Sequence, residues 1–116
     1  MSNYKELKVW QQAMELVMNI YVLTKQFPDD EKFGLVSQMR RSSVSIPSNI
    51  AEGSGRDTKG YFSNFLNFAK GSTCELETQI LVALNLGYIS EKKAEELTSQ
   101  TAHIQRMLYK LTISIS

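Results

Sequence analysis

The chain has 116 residues, 42% of them hydrophobic, enough for one domain spanning residues 1–116 that buries its core without help from metals or disulfides. Its 13 basic and 12 acidic side chains leave a net charge of +1. That excludes a strong global field drawing the protein to nucleic acid or membrane, but not a local patch. The lone cysteine, Cys74, sits inside an apolar helical pattern and excludes an internal disulfide and any cysteine-cluster metal site.

The N-terminal stretch "MSNYKELKVW" lacks the apolar core of a signal peptide. No window approaches the roughly 18 uninterrupted apolar residues of a membrane span. The expectation is a cytoplasmic protein with no membrane partner.

From Leu7 the apolar positions run Leu7, Trp10, Met14, Val17 and Tyr21, beside a second stripe at Ala13, Leu16, Ile20, Leu23 and Phe27. This spacing predicts a helix with a wide buried face. Pro28 stops it, and "DDE" at Asp29 to Glu31 offers a cap and first-turn acids for the next helix. Val36, Met39, Ser43, Ile46 and Ile50 keep the same period until Gly53 and Gly55 end the second helix. Pro47 lies inside this pattern. Because the spacing resumes in phase at Ile50, the expectation is a kink and not a break.

Asp57 or Thr58 is placed to cap a third helix whose inward positions read Phe62, Phe65, Ala69, Ser72, Leu76, Ile80 and Ala83, closing near Gly87. Ser90 with Glu91 opens a fourth, with Ala94, Leu97, Thr101, Ile104, Leu108, Leu111 and Ile115 on its inner face. No strand signal competes. Four segments of roughly 23 to 28 residues, each about 35 to 40 Å long and joined by short connections, predict an all-α, antiparallel up-down-up-down four-helix bundle with a proline kink in the second helix.

Folding the third segment back on the second sets Ser43 against Gly71 and Pro47 near Asn67, a seam of small side chains that lets two backbones approach. The same register brings Arg40 opposite Cys74 and Glu75, as an ion pair between helices. Asn49 and Glu52, three apart, share one helix face, where hydrogen bonding between helices or subunits explains them better than a ligand does.

No constellation carries catalytic or metal chemistry. "EGSGR" at Glu52 to Arg56 places its glycines after a helix, where they form a C-cap turn and not a phosphate loop. His103 lies on a polar face, with Glu95 and Glu96 on different turns. No Glu-x-x-His pair, activated nucleophile or cofactor motif occurs. Tyr61, Phe62, Phe65 and Phe68 read as core residues, Phe62 and Phe65, beside an interface border, Tyr61 and Phe68. The competing reading is a base-stacking platform. Two short basic groups stand out, Arg40 with Arg41 and Lys92 with Lys93.

In order and spacing, "LKVWQQAMEL", "FPDDEKFGLVSQMRRSSVSIPSNIAEGSGR", "FLNFAKGSTCELETQI", "LGYIS" and "MLYKL" resemble the bacterial family of 23S ribosomal RNA intervening-sequence proteins, over residues 4–112. Family members are named for reading frames found within inserts of the 23S rRNA gene and are labelled ribosomal proteins on that basis. The family is similar in turn to the accessory protein of diversity-generating retroelements, a basic bundle that forms a homopentamer, binds nucleic acid and associates with a reverse transcriptase. For this chain the resemblance implies a barrel-like homopentamer, with Arg40, Arg41, Ser45, Asn49, Glu52, Gly53, Gly71, Ser72 and Glu75 as signature positions and no catalytic residue among them.

The sequence therefore reads as a non-enzymatic, oligomeric scaffold or adaptor, with itself as partner and with RNA or a nucleic-acid-processing protein as a further one. An alternative is a nucleic-acid-binding protein whose phosphate contacts are Arg40, Arg41, Arg56, Lys59, Lys70, Lys92, Lys93, Arg106 and Lys110. A third reading is a small-ligand or enzymatic site around Asn49, Glu52 and Glu75. On the oligomer, the expectation is that Trp10, Phe68 or Tyr61 lies partly at a subunit contact.

Overall fold

The computed structural model describes residues 3–116. Its elements are α1 (Lys8–Thr24), α2 (Leu35–Ser54), α3 (Lys59–Asn85) and α4 (Glu91–Ile115), with single 3-10 turns at Tyr4–Glu6 and Asp29–Glu31. The helices form a closed ring in which α1 packs on α2, α2 on α3, α3 on α4 and α4 back on α1, while among the described residues no Cα of α1 comes within 8 Å of one of α3. Neighbours run antiparallel. Ser42 and Ser45 of α2 meet Gln79 and Ser72 of α3 in descending order, and Thr101 and Gln105 of α4 meet Glu77 and Lys70 of α3 in the same way. The all-α bundle read from the sequence is the observed fold.

The core is the expected apolar stripes turned inward. Ala13, Leu16 and Ile20 of α1, Met39, Ile46 and Ile50 of α2, Leu76 and Ile80 of α3, and Leu108 of α4 are fully buried. Each large aliphatic among them stabilises the fold by about 1.5–3 kcal/mol. On α3 the stripe differs by one residue in two places. Leu66 and Thr73 are buried where Phe65 and Ser72 were expected, and those two are half-buried at the α2 edge. Over so long a helix the 3.6-residue period drifts past any fixed 3-4 alternation, and buried Thr73 remains satisfied because its hydroxyl donates to the Ala69 carbonyl at 2.7 Å.

The caps follow the sequence. Thr58 accepts the Tyr61 amide at the start of α3, and Ser90 accepts the Lys93 amide at the start of α4. α3 ends on Gly87, whose φ of +79° lets the Tyr88 amide reach the Ala83 carbonyl and its own amide reach that of Leu84. α2 continues unbroken through Pro47.

The first connection departs from expectation. α1 and α2 are shorter than α3 and α4, because residues 25–34 leave the helical path. "DDE" forms its own 3-10 turn, and the N-cap of α2 is Gly34, which has no side chain to offer. The capping group comes from Glu31 instead. Its carboxylate accepts the Leu35 amide at 3.1 Å and the Tyr88 hydroxyl at 2.8 Å, so one side chain ties the start of α2 to the α3–α4 connection. Tyr88 also stacks on Phe27 with ring centroids 5.3 Å apart.

These two bonds, the Leu35 amide first and the Tyr88 hydroxyl second, hold the Glu31 carboxyl below its ordinary value of 4.5. A depressed folded-state value means stability that is present above the unfolded value and lost as pH falls through the folded one. Tyr88→Phe therefore lowers the melting temperature at neutral pH, and its gap from wild type closes as pH drops below 4.5. Thermal melts followed by circular dichroism across that range test this; a gap that stays constant would show that the carboxylate does not carry the bond.

Candidate functional site

Seven of the nine signature positions, Arg41, Ser45, Asn49, Glu52, Gly53, Ser72 and Glu75, lie along one surface, the seam where α2 lies against α3. At its upper end Ser42 donates to the Gln79 side-chain carbonyl at 2.7 Å, both residues buried. One turn below, the hydroxyls of Ser45 and Ser72 are 2.8 Å apart, and Asn49 Nδ2 donates to the Ser45 carbonyl at 2.8 Å and to its hydroxyl at 2.9 Å. Below these, Arg56 pairs with Glu52 at 2.9 Å and lays its guanidinium over the Phe65 ring, 5.0 Å from the centroid. Arg41, Gln38 and Glu75 line a small polar cleft of about 410 Å³ beside the upper end.

Gly53 explains why the two helices can come this close. A Cβ there would stand 2.6 Å from the Phe65 Cβ and 3.1 Å from the Phe62 ring. Gly53 is thus a helix-contact residue inside the last turn of α2, and the C-cap is Gly55, with φ of −84°. Only the second glycine of "EGSGR" ends the helix.

Two signature residues lie elsewhere, and both expected pairings involving them are corrected. Arg40 does not face Cys74 or Glu75. Its Nε donates to Thr24 Oγ1 at 2.9 Å, its Nη2 to the Tyr21 carbonyl at 3.3 Å, and its guanidinium sits 4.6 Å from the Tyr21 ring centroid, all on α1. Two residues along a helix are about 200° apart, so once Ser42 faces α3, Arg40 must face α1. Its neighbour Arg41 is the one that shares a cleft with Glu75.

Gly71 likewise precedes Thr73 by two residues. It points outward, where an added Cβ would meet nothing within 4 Å, so it does not pair with Ser43, whose hydroxyl donates to the Arg40 carbonyl at 2.9 Å. Pro47 is buried against α1, in a groove with Trp10, Met14 and Val17, and not beside exposed Asn67.

The nine candidate phosphate contacts also separate. Lys92 and Lys93 stand at the start of α4, where Lys93 pairs with Glu96 at 3.0 Å. Lys59 begins α3, Arg56 is occupied by Glu52, and Arg40 by α1. Lys70, Arg106 and Lys110 share a cleft with Tyr109. Tyr109 carries no signal in the sequence, where it is one more aromatic at the edge of a stripe. Cys74 is exposed, contrary to its apolar setting in the sequence, and accepts from Gln105 Nε2 at 3.0 Å. His103 is exposed as expected, and among the described residues no three His, Cys, Asp or Glu side chains are grouped to hold a metal ion. Among the described residues, no helix is long and apolar enough to cross a membrane.

The family model for the 23S rRNA-intervening sequence protein matches residues 5–110. The chain belongs to that family. Its fold is similar to the crystal structure of a protein of unknown function from the S23 ribosomal protein family of Bacteroides thetaiotaomicron VPI-5482, with a TM-score of 0.83 and 26% identity over 90% of this chain and 94% of that one. No curated protein matches. For this intervening-sequence family member, the α2–α3 seam accounts for most of the signature as packing: hydroxyls and an amide satisfied between two close helices.

Gly53→Ala gives this reading a test. Alanine improves helix propensity by roughly 0.5–1 kcal/mol, but the added methyl would overlap the Phe65 Cβ, and overpacking costs about 1–3 kcal/mol. The expected net effect is a loss of about 1 kcal/mol or more in urea unfolding; a gain in stability would remove Gly53 from the seam.

Proposed function

We propose that this protein is a non-enzymatic, cytoplasmic scaffold or adaptor whose copies join head to tail into a closed ring. The carrying observation is a pair of exposed apolar faces on the two diagonal helices. α1 presents Met14, Met18 and Val22 four residues apart, the last two each 60% exposed. α3 presents Tyr61, Phe68 and Val82 in seven-residue steps through Glu75, with Leu86 one turn beyond; Phe68 is 58% exposed and Val82 41%. Contiguous exposed apolar surface marks interaction sites.

α1 and α3 lie diagonally across the bundle, so the two faces are on different sides of it. A contact between α1 of one copy and α3 of the next is heterologous, and it closes into a ring when the rotation from copy to copy divides a full turn. Outward-facing Gly71, between Phe68 and Glu75, leaves room for a neighbouring helix. The pentameric size comes from the resemblance to the retroelement accessory protein and from no distance within this chain.

The seam residues support the non-enzymatic side of the reading. Asn49 is committed to Ser45 and Glu52 to Arg56, while Glu75 sits with Arg41 in a separate cleft, so the three do not converge on one reacting atom. The names of the family and of the Bacteroides neighbour point to ribosomal RNA as the setting in which such a scaffold works.

Light scattering at micromolar concentration should return a defined multiple of 13.2 kDa. Val22→Glu and Val82→Glu, both at exposed positions, should each dissolve the ring without changing the helical circular dichroism. Mixed together, the two variants still own one intact α1 face and one intact α3 face, so they should form a dimer and nothing larger. A monomer for the wild-type chain would sink the proposal.

A further inference from the structure

The near-zero net charge conceals two stretches without any acid. In α3 the stretch from Lys59 to Cys74 contains no aspartate or glutamate, and neither does the last part of α4, from Leu97 to Ser116. The pairings of Gln105 with Lys70 and Cys74 place these two stretches side by side, at the end of the bundle away from the α1–α2 connection. Many of the acids lie toward the other end: Asp29, Asp30 and Glu31 in that connection, and Glu91, Glu95 and Glu96 at the start of α4. Glu6, Glu15, Glu52, Asp57, Glu75 and Glu77 lie outside the two acid-free stretches; Glu52 is paired with Arg56, and Glu77 accepts from Thr101, one turn from Gln105.

Within this acid-free region Lys70, Gln105, Arg106, Tyr109 and Lys110 line an open cleft of about 510 Å³. None of its three cations takes part in the salt bridges found among the described residues. Tyr109 is 61% exposed, and Lys70 Nζ lies 5.6 Å from its ring centroid. The ring is thus largely exposed, with the Lys70 ammonium over one of its faces. Gln105 bridges the floor, donating to the Lys70 carbonyl at 3.3 Å and to Cys74 Sγ at 3.0 Å, which holds the two helices at a set separation.

Cations outside any salt bridge around an exposed aromatic ring, whose face away from Lys70 is open to a stacking partner, match a polyanion that also offers flat, unstacked rings. We propose that this α3–α4 cleft binds single-stranded nucleic acid, with Lys70, Arg106 and Lys110 on phosphates and Tyr109 stacked on a base. Duplexes fit less well because their bases are already stacked and their edges turned into grooves. This site adds to the ring scaffold and does not depend on it, since every lining residue belongs to one chain.

Fluorescence anisotropy with a labelled oligouridylate tests the assignment, with an RNA hairpin of equal charge as the duplex control. Single strands give a slope of log K against log salt of about −0.7 per phosphate contacted. Three contacts therefore give about −2, and each of Lys70→Gln, Arg106→Gln and Lys110→Gln makes the slope shallower by about 0.7. Tyr109→Ala should weaken binding about fivefold or more with the slope unchanged, Tyr109→Phe should retain the affinity, and the hairpin should bind more weakly than the oligouridylate.

No binding at low salt, or the same affinity after Tyr109→Ala, overturns the proposal. So does inorganic polyphosphate competing as well as the oligonucleotide at equal phosphate concentration. A chain that scatters as a monomer yet shows the full oligonucleotide signature would overturn the ring and leave this site standing.

Discussion

The structure depends on the register of α2 against α3. The buried Ser42 to Gln79 hydrogen bond and the contact of Gly53 with Phe65 hold that register at two points along the seam. Each is intolerant of change for its own reason. A buried polar group left without its partner costs about 1–3 kcal/mol, and a glycine that touches another backbone layer has no space for even one methyl. Sliding α2 by one residue would strand the serines and drive the helix surface into the phenylalanines. With the register set, Arg40 is turned to α1, Arg41 is left beside Glu75, and the face carrying Phe68, Gly71 and Val82 is turned outward.

This constraint gives the signature positions a common physical meaning. Ser45, Asn49 and Ser72 form a chain of hydrogen bonds in a half-buried strip where larger or apolar side chains would force the helices apart. Arg40 is equally structural, holding α1 by two donors and a cation–π contact. Its flat guanidinium satisfies Thr24 and the Tyr21 carbonyl while lying on the Tyr21 ring, which a lysine ammonium cannot do at once. Residues that look like chemistry in a one-dimensional reading serve the packing of three helices. The surface they leave unused is where interaction is to be sought.

That surface has two characters. α1 and α3 each carry exposed apolar side chains on different sides of the bundle, whereas the lower α3–α4 face is basic and carries an exposed tyrosine. Both features are local, and the overall composition averages them away. A net charge near zero therefore says little about binding in a chain with acid-free stretches on two adjacent helices.

The helices, their caps and the bundle were legible in the sequence because a 3.6-residue period, a proline, a glycine after the last turn and a serine or threonine before the first each act within a few residues. Thr58, Ser90 and Gly87 all act locally, and the sequence placed them. What acts between distant segments was not legible. Pairing Arg40 with Glu75 and Gly71 with Ser43 fails because a seam of small residues tolerates several offsets, and only the simultaneous fit of all four helices selects one. Glu31 as the cap of α2, Gly53 as the point of closest approach, and Tyr109 among three cations were likewise decided by tertiary structure alone: each depends on which way a helix is rotated about its axis, a quantity the apolar period constrains only to within about one residue.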